Sequence, residues 1–152
     1  MPNPTEDTAI FLARFGPEAF RYRDSLACSL IDGDQGYLVY TADTVAAGAV
    51  GQAQGEALLT ALNALQSLGI RTLELRINSS GAHFKDPMEG LWHLNAFLEA
   101  LWAFHARGIR IITRCDGWLY GGMAMALTAV SDEIMLGPQA HIGLLGYRAT
   151  TQ

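Results

Sequence analysis

Twice in this chain a short apolar run of strand character ends in a glycine-bearing turn that opens a helical pattern. "RTLELRIN" leads through "SSGAHF" into an apolar stretch from about Pro87 to Arg107, and "IRIITRC" leads through "DGWLYGG" into a helix that starts at the glycines and covers about Gly122 to Val130. A recurring strand–turn–helix unit implies a largely parallel sheet, because the helix must carry the chain back over one sheet face. The remaining segments agree. "SLACSLID", "GYLVYT", "DEIMLGP" and "HIGLLGY" have strand character. A further helix is expected over residues 53–68, with Ala57, Leu58, Ala61, Leu62 and Leu65 on one face and Gly69 as its stop. The expectation is a layered α/β fold with a largely parallel sheet flanked by helices. Residues 1–152 read as one domain, in which roughly the first 24 form an arm or edge element.

The pattern from 87 to 107 is apolar around most of its circumference, through Leu91, Trp92, Leu94, Phe97, Leu98, Leu101, Trp102 and Phe104. Only 16% of the chain is charged. A helix of that kind is covered by another layer or another subunit, so a homo-oligomer is expected. His93 and His105 lie on it without a metal-ligand set of carboxylates or histidines. They read as hydrogen-bonded or surface groups, and no metal is expected. The net charge of −5, with no basic stripe, argues against a nucleic-acid or anionic-membrane partner. Cys28 and Cys115 cannot build a disulfide framework and read as small buried hydrophobes. The start of the chain has no cationic and then apolar leader, and no run approaches the roughly 18–20 apolar residues of a membrane span, so the cytoplasm is the expected compartment.

The two turns share a chemistry. Backbone N–H groups at a helix start lack intrahelical acceptors and sit at the positive end of its dipole. A glycine there removes a Cβ and tolerates positive φ. Two such turns facing one another would aim two N–H groups at one point, an oxyanion hole suited to a thioester carbonyl that becomes an enolate. For either turn alone, an ordinary cap or turn glycine explains the residue as well.

"GAVGQAQGEALLTAL", "NSSGAHF" and "GWLYGGMAMALTAVSDEIMLGPQAHIGLLGYRATTQ" resemble the carboxyltransferase branch of the crotonase and Clp-protease superfamily. The resemblance is to the β subunits of biotin-independent malonate decarboxylase and of acetyl-CoA carboxylase carboxyltransferase, over roughly residues 25–152. It implies a crotonase-like (ββα) spiral. It also implies hole donors in the turns at Gly81 and Gly122, with Gly121 beside the second. Ser79, Gly81 and Ala82 match the family's first loop, whereas Ser80 stands where the family has glycine and His83 where it has arginine. Gly48, Val50, Gly51 and Gly55 fall on its early Gly-rich loop. Gly146, Arg148 and Gln152 match its terminal segment, with Tyr147 in the proline position. Gly48, Ser80, Ala82, Gly121, Met123, His141 and Arg148 are the expected substrate contacts.

Substitutions in this chain narrow the chemistry that the resemblance allows. The two glutamates of enoyl-CoA hydratases would fall on Met125 and Gly146, which cannot transfer a proton. The nucleophilic serine of the related proteases would fall on Tyr120 or its neighbour, and no serine occurs between Ser80 and Ser131. Decarboxylation of a malonyl thioester, carried by CoA or an acyl carrier protein, needs chiefly an oxyanion hole and a proton source. His83 and Tyr120 are placed to donate that proton or orient the carboxylate, and His141 and Arg148 to hold a carboxylate or phosphate. No covalently bound cofactor is expected; in a biotin-dependent carboxyl transfer the biotin would arrive on another chain. A non-catalytic or partner-dependent subunit and an acyl-thioester hydrolase remain as alternatives. Family members continue beyond the point matching "GYRATTQ", so either this chain is a minimal member or a second crotonase-like subunit supplies the missing cover.

Overall fold

The computed structural model describes residues 4–41, 48–82 and 87–143. Helix α1 (Pro4–Leu12) and a single 3-10 turn lead into β1 (Phe20–Arg23), β2 (Cys28–Asp32) and β3 (Gln35–Tyr40). The chain continues through β4 (Ala49–Val50), α2 (Gln52–Asn63), β5 (Thr72–Ile77), β6 (Gly81–Ala82) and α3 (Pro87–Ala106). It then runs through β7 (Arg110–Cys115), β8 (Trp118–Tyr120), α4 (Gly121–Val130), β9 (Glu133–Leu136) and β10 (His141–Gly143).

Six strands make the main sheet, in the order β1-β2-β3-β5-β7-β9. β3, β5, β7 and β9 run parallel to their neighbours, whereas β1 and β2 add an antiparallel edge. The expected largely parallel α/β architecture is therefore present. β5 shows why the sequence folds this way. Its side chains alternate between buried Leu73, Leu75 and Ile77 and half-buried Thr72, Glu74 and Arg76, the period of two that a strand imposes. The buried set meets Leu58 and Leu62 of α2, Phe97, Leu101 and Phe104 of α3, and Leu127 of α4 in one core cluster. On the opposite face Arg76 bonds Glu74 at 2.6 Å and lies 3.6 Å from the ring centre of Phe11, so its apolar stem and cation help seat α1 there. Phe11, Cys28, Leu30 and Val39 form a second, smaller cluster under α1.

Three details differ from the sequence expectation. α2 ends at Asn63 rather than near Leu68, because the chain tightens into i→i−3 bonds from Leu65 to Leu62 and from Gln66 to Asn63. Leu65 nevertheless stays fully buried. His93 does have a carboxylate at helical spacing: its Nε2 stands 3.1 Å from Glu89 Oε1, and the imidazole is buried against α2. Finally, α3 is covered on one side only, since Met88, Leu91, Trp92 and Trp102 are exposed in this chain. Among the described residues no helix is long and apolar enough to cross a membrane.

Both cysteines are buried and free, and burial pushes each thiol up to about 11. At pH 8 about one thiol in a thousand is then ionised, and the thiolate is the reactive form. Iodoacetamide is accordingly expected to label neither Cys28 nor Cys115 in the native protein at pH 8, and both in denaturant, read by intact mass. Labelling of either without denaturant contradicts their burial.

Candidate functional site

β5 and β7 end side by side at Ile77 and Cys115, and the two glycine turns begin there. Ser79 forms a parallel bridge with Leu119: its N–H donates to Trp118 O at 3.0 Å, and its carbonyl accepts the Tyr120 N–H at 2.9 Å. This pairing drives the first turn onto the start of α4. A Cβ placed on Gly81 would stand 2.9 Å from Tyr120 O, 3.1 Å from Gly122 N and 3.2 Å from Gly121 Cα. The turns converge. Gly81 (φ +91°) and Gly121 (φ +59°) both occupy the left-handed region, and Gly122 lets α4 close on α3, because its Cβ would lie 2.9 Å from Leu94 Cδ1. Chain-to-chain approach thus accounts for the paired glycines at the mouth of α4. The same approach brings that helix's unpaired first-turn N–H groups beside the first turn.

One expectation is corrected by these contacts. The Gly81 N–H donates to Ser79 Oγ at 3.1 Å, so it is occupied within the protein and is not a free hole donor. The next N–H in that turn belongs to Ala82, half-buried on β6, where Gly81 and Ala82 pair with Ala49 and Val50 of β4.

No family model and no curated protein matches the sequence. Solved structures do match the fold. A chain of the Pseudomonas malonate decarboxylase MdcD-MdcE hetero-dimer superposes with a TM-score of 0.73 at 19% identity, over 91% of this chain and 64% of that one. The Pseudomonas malonate decarboxylase hetero-tetramer in complex with malonate gives 0.68 at 17%, over 83% and 48%. An enoyl-CoA hydratase from Bacillus halodurans gives 0.61 at 17%, over 76% and 51%. The chain has the crotonase fold. It spans between about half and two thirds of the length of these solved chains.

Within this crotonase fold the other expected residues separate. Tyr120, the residue before α4, is half-buried, and burial raises its phenol above the ordinary value, with the neighbouring Cys115 as a smaller contribution. It therefore stays protonated at neutral pH. Ser80 is half-buried in the first turn. Met123 is fully buried in the core, which leaves only its main chain for any ligand, and Met125 is 61% exposed. His141 is exposed at the start of β10, opposite Trp118, while Gly143 rather than His141 is level with Tyr120. Gly48 contributes to the protein itself: its carbonyl accepts Ser79 Oγ–H at 2.8 Å and Tyr40 Oη–H at 3.1 Å. His83, Gly146 and Arg148 lie outside the described residues.

Residues that sequence reasoning passed over hold the site together. Asn78 donates its N–H to Tyr40 O at 2.9 Å, and its Oδ1 accepts the Trp118 N–H at 3.1 Å. Tyr40, Asn78, Ser79 and Trp118 are all buried. The one signal for them in the sequence is an Asn-Ser pair at the end of a strand, where short polar side chains bond nearby backbone. Cavities among the described residues lie elsewhere. One, of about 470 Å³, is bounded by α1 and the β1–β2 turn, and one of about 210 Å³ lies beside His105 and Asp132; neither borders Gly81 or Gly122.

Proposed function

We propose that this chain acts on an acyl thioester and that its reaction is decarboxylation of a malonyl-type thioester of CoA or an acyl carrier protein. The observation that carries the reading is the convergence of the Gly81 turn on the first turn of α4, so close that a Cβ on Gly81 would stand 3.1 Å from Gly122 N. The malonate decarboxylase likeness supports it, as does the loss of the hydratase glutamates, one of whose positions is the exposed Met125.

In this mechanism the carbon–carbon bond to the carboxylate breaks, CO₂ leaves, and the electron pair moves into the thioester carbonyl. The enolate oxygen is held between the N–H groups of Ala82 and Gly122, where fixed dipoles in a water-poor setting stabilise developing charge without reorganising. A proton then adds to the α-carbon and yields the acetyl thioester. Tyr120 Oη, kept protonated by burial, is one donor, and His83 is the other. His141 and Arg148 are assigned to the substrate's carboxylate or phosphate.

Malonyl-CoA and malonyl carrier protein, incubated with the chain, are expected to give the acetyl thioester by mass spectrometry. Tyr120→Phe is expected to lower kcat by about 10²-fold, within the range for removing a general acid. Absence of product from both thioesters sinks the reading for the chain alone.

A second reading, that the chain works only with a partner, is favoured by a specific observation. The chain exposes Met88, Leu91, Trp92 and Trp102 along α3, and its malonate decarboxylase neighbours come from a hetero-dimer and a hetero-tetramer. A homo-oligomer or a second crotonase-like chain would cover that face. Product formed only in a mixture with such a chain is the outcome that selects this reading.

A further inference from the structure

We propose that Ser79 is the positioning residue of the site, one side chain and one peptide unit that together set the separation between the Ala82 and Gly122 N–H groups. The proposal rests on the thioester reading above, and it deepens that reading by naming what holds the two turns in register.

Ser79 is fully buried and is bonded in both directions. Its backbone straddles β8, donating to Trp118 O at 3.0 Å and accepting from Tyr120 N at 2.9 Å, so the second turn is fixed on either side of Leu119. Its hydroxyl donates to Gly48 O at 2.8 Å and accepts the Gly81 N–H at 3.1 Å, so the first turn and the early Gly-rich loop are fixed by the same atom. Bonds arranged in series through one oxygen polarise one another, and a buried relay of this kind is costly to leave half-made. The acceptor end does not drift, because Tyr40 Oη holds the same Gly48 carbonyl at 3.1 Å. The neighbouring Asn78 ties Tyr40 O to Trp118 N, which prevents the strand end from sliding along β8. The first turn therefore cannot move relative to α4 without breaking a bond to Ser79. Misplacement of reacting groups by about 1 Å costs about 10²-fold in rate, so such a brace acts on turnover rather than on binding.

Ser29 supplies a control from the same chain. It is equally buried, and its Oγ has no hydrogen-bond partner among the described residues, so its hydroxyl ties no two of them together.

Ser79→Ala keeps both backbone bonds and removes both side-chain bonds. Amide hydrogen exchange, followed by NMR without substrate, is expected to speed up about tenfold at Gly81, whose bond to Ser79 Oγ is lost, and to rise at Tyr120, whose N–H bonds Ser79 O, relative to β5 and β7. Ser29→Ala is expected to leave both amides unchanged. With a malonyl thioester, Ser79→Ala is expected to lower kcat by about 10- to 100-fold while KM moves less than about threefold. Should the alanine variant fail to fold, Ser79→Cys, which fills the space with a weak donor, is read in the same way. Unchanged exchange at Gly81 and Tyr120 overturns the proposal, as does a loss carried by KM alone. A wild-type chain that turns over no thioester, yet shows the exchange change in the variant, removes the thioester reading and leaves the brace standing.

Discussion

Gly81→Ala is expected to lose about 10²- to 10³-fold in decarboxylation, the range found when an oxyanion donor is removed, together with about 1–3 kcal/mol of stability. Two effects combine at this position. The residue sits at φ +91°, where an L side chain costs about 1–2 kcal/mol. Its Cβ would also stand 2.9 Å from Tyr120 O and 3.1 Å from Gly122 N, both main-chain atoms that no rotamer change can move aside. The turns must part, and the N–H groups of Ala82 and Gly122 part with them. Gly108→Ala separates the two effects. Gly108 has φ +81° but nothing within 4 Å of its Cβ position, so it carries the backbone cost without the wedge. Thermal melts should therefore move in the same direction for both variants, while kcat, measured at a temperature where both are folded, should fall only for Gly81→Ala. Equal activities in the two variants would mean that the gap between the turns does not govern the chemistry.

The elements that were legible in the sequence are those whose signal is local. β5 and β7 announce themselves through two-residue alternation and β-branched side chains, and α3 and α4 lie within a residue of the expected limits because Pro87 opens and Gly108 follows α3 and a glycine pair opens α4. β1, by contrast, reads "FRYR", with two arginines in four residues, and pairs only because β2 offers it an edge. β4, β6 and β8 are two or three residues long, so no periodicity can mark them, and their pairing depends on tertiary contacts. The site divides along the same line. Glycines at 81, 121 and 122 were visible because a missing side chain is a local fact. That Gly48 faces the protein follows from a bond spanning 31 residues in sequence, which spacing cannot reveal, whereas the Gly81 N–H is consumed by a serine only two residues earlier, a local turn signal that went unread. His93 shows the same error: its partner Glu89 stands one helical turn away, a local signal that could have been read.

Gly55→Ala tests the packing that holds the site from behind. Alanine is the better helix former by about 1 kcal/mol, so propensity alone predicts a more stable protein. The structure predicts the opposite sign. A Cβ on Gly55 would lie 2.2 Å from His93 Cγ and 2.4 Å from His93 Cβ, atoms at the root of the side chain that stay in place when the imidazole rotates. α2 and α3 would have to separate, and overpacking of a close helix contact costs about 1–3 kcal/mol. The net expectation is a loss of about 1–2 kcal/mol, or a few degrees in melting temperature for a domain of this size. Activity should fall as well, because Leu94, the next residue on α3, is the side chain against which Gly122 packs, and a displaced α3 shifts the first turn of α4. His93→Ala in the same background removes the Cγ contact and the Nδ1 that has no partner among the described residues but keeps the Cβ contact, so the double variant should regain part of the stability that Gly55→Ala loses. The coupling energy from that cycle is the decisive quantity. A value near zero, or a Gly55→Ala protein that melts above the wild type, would show that the two helices tolerate a side chain between them and that this contact does not set where α4 begins.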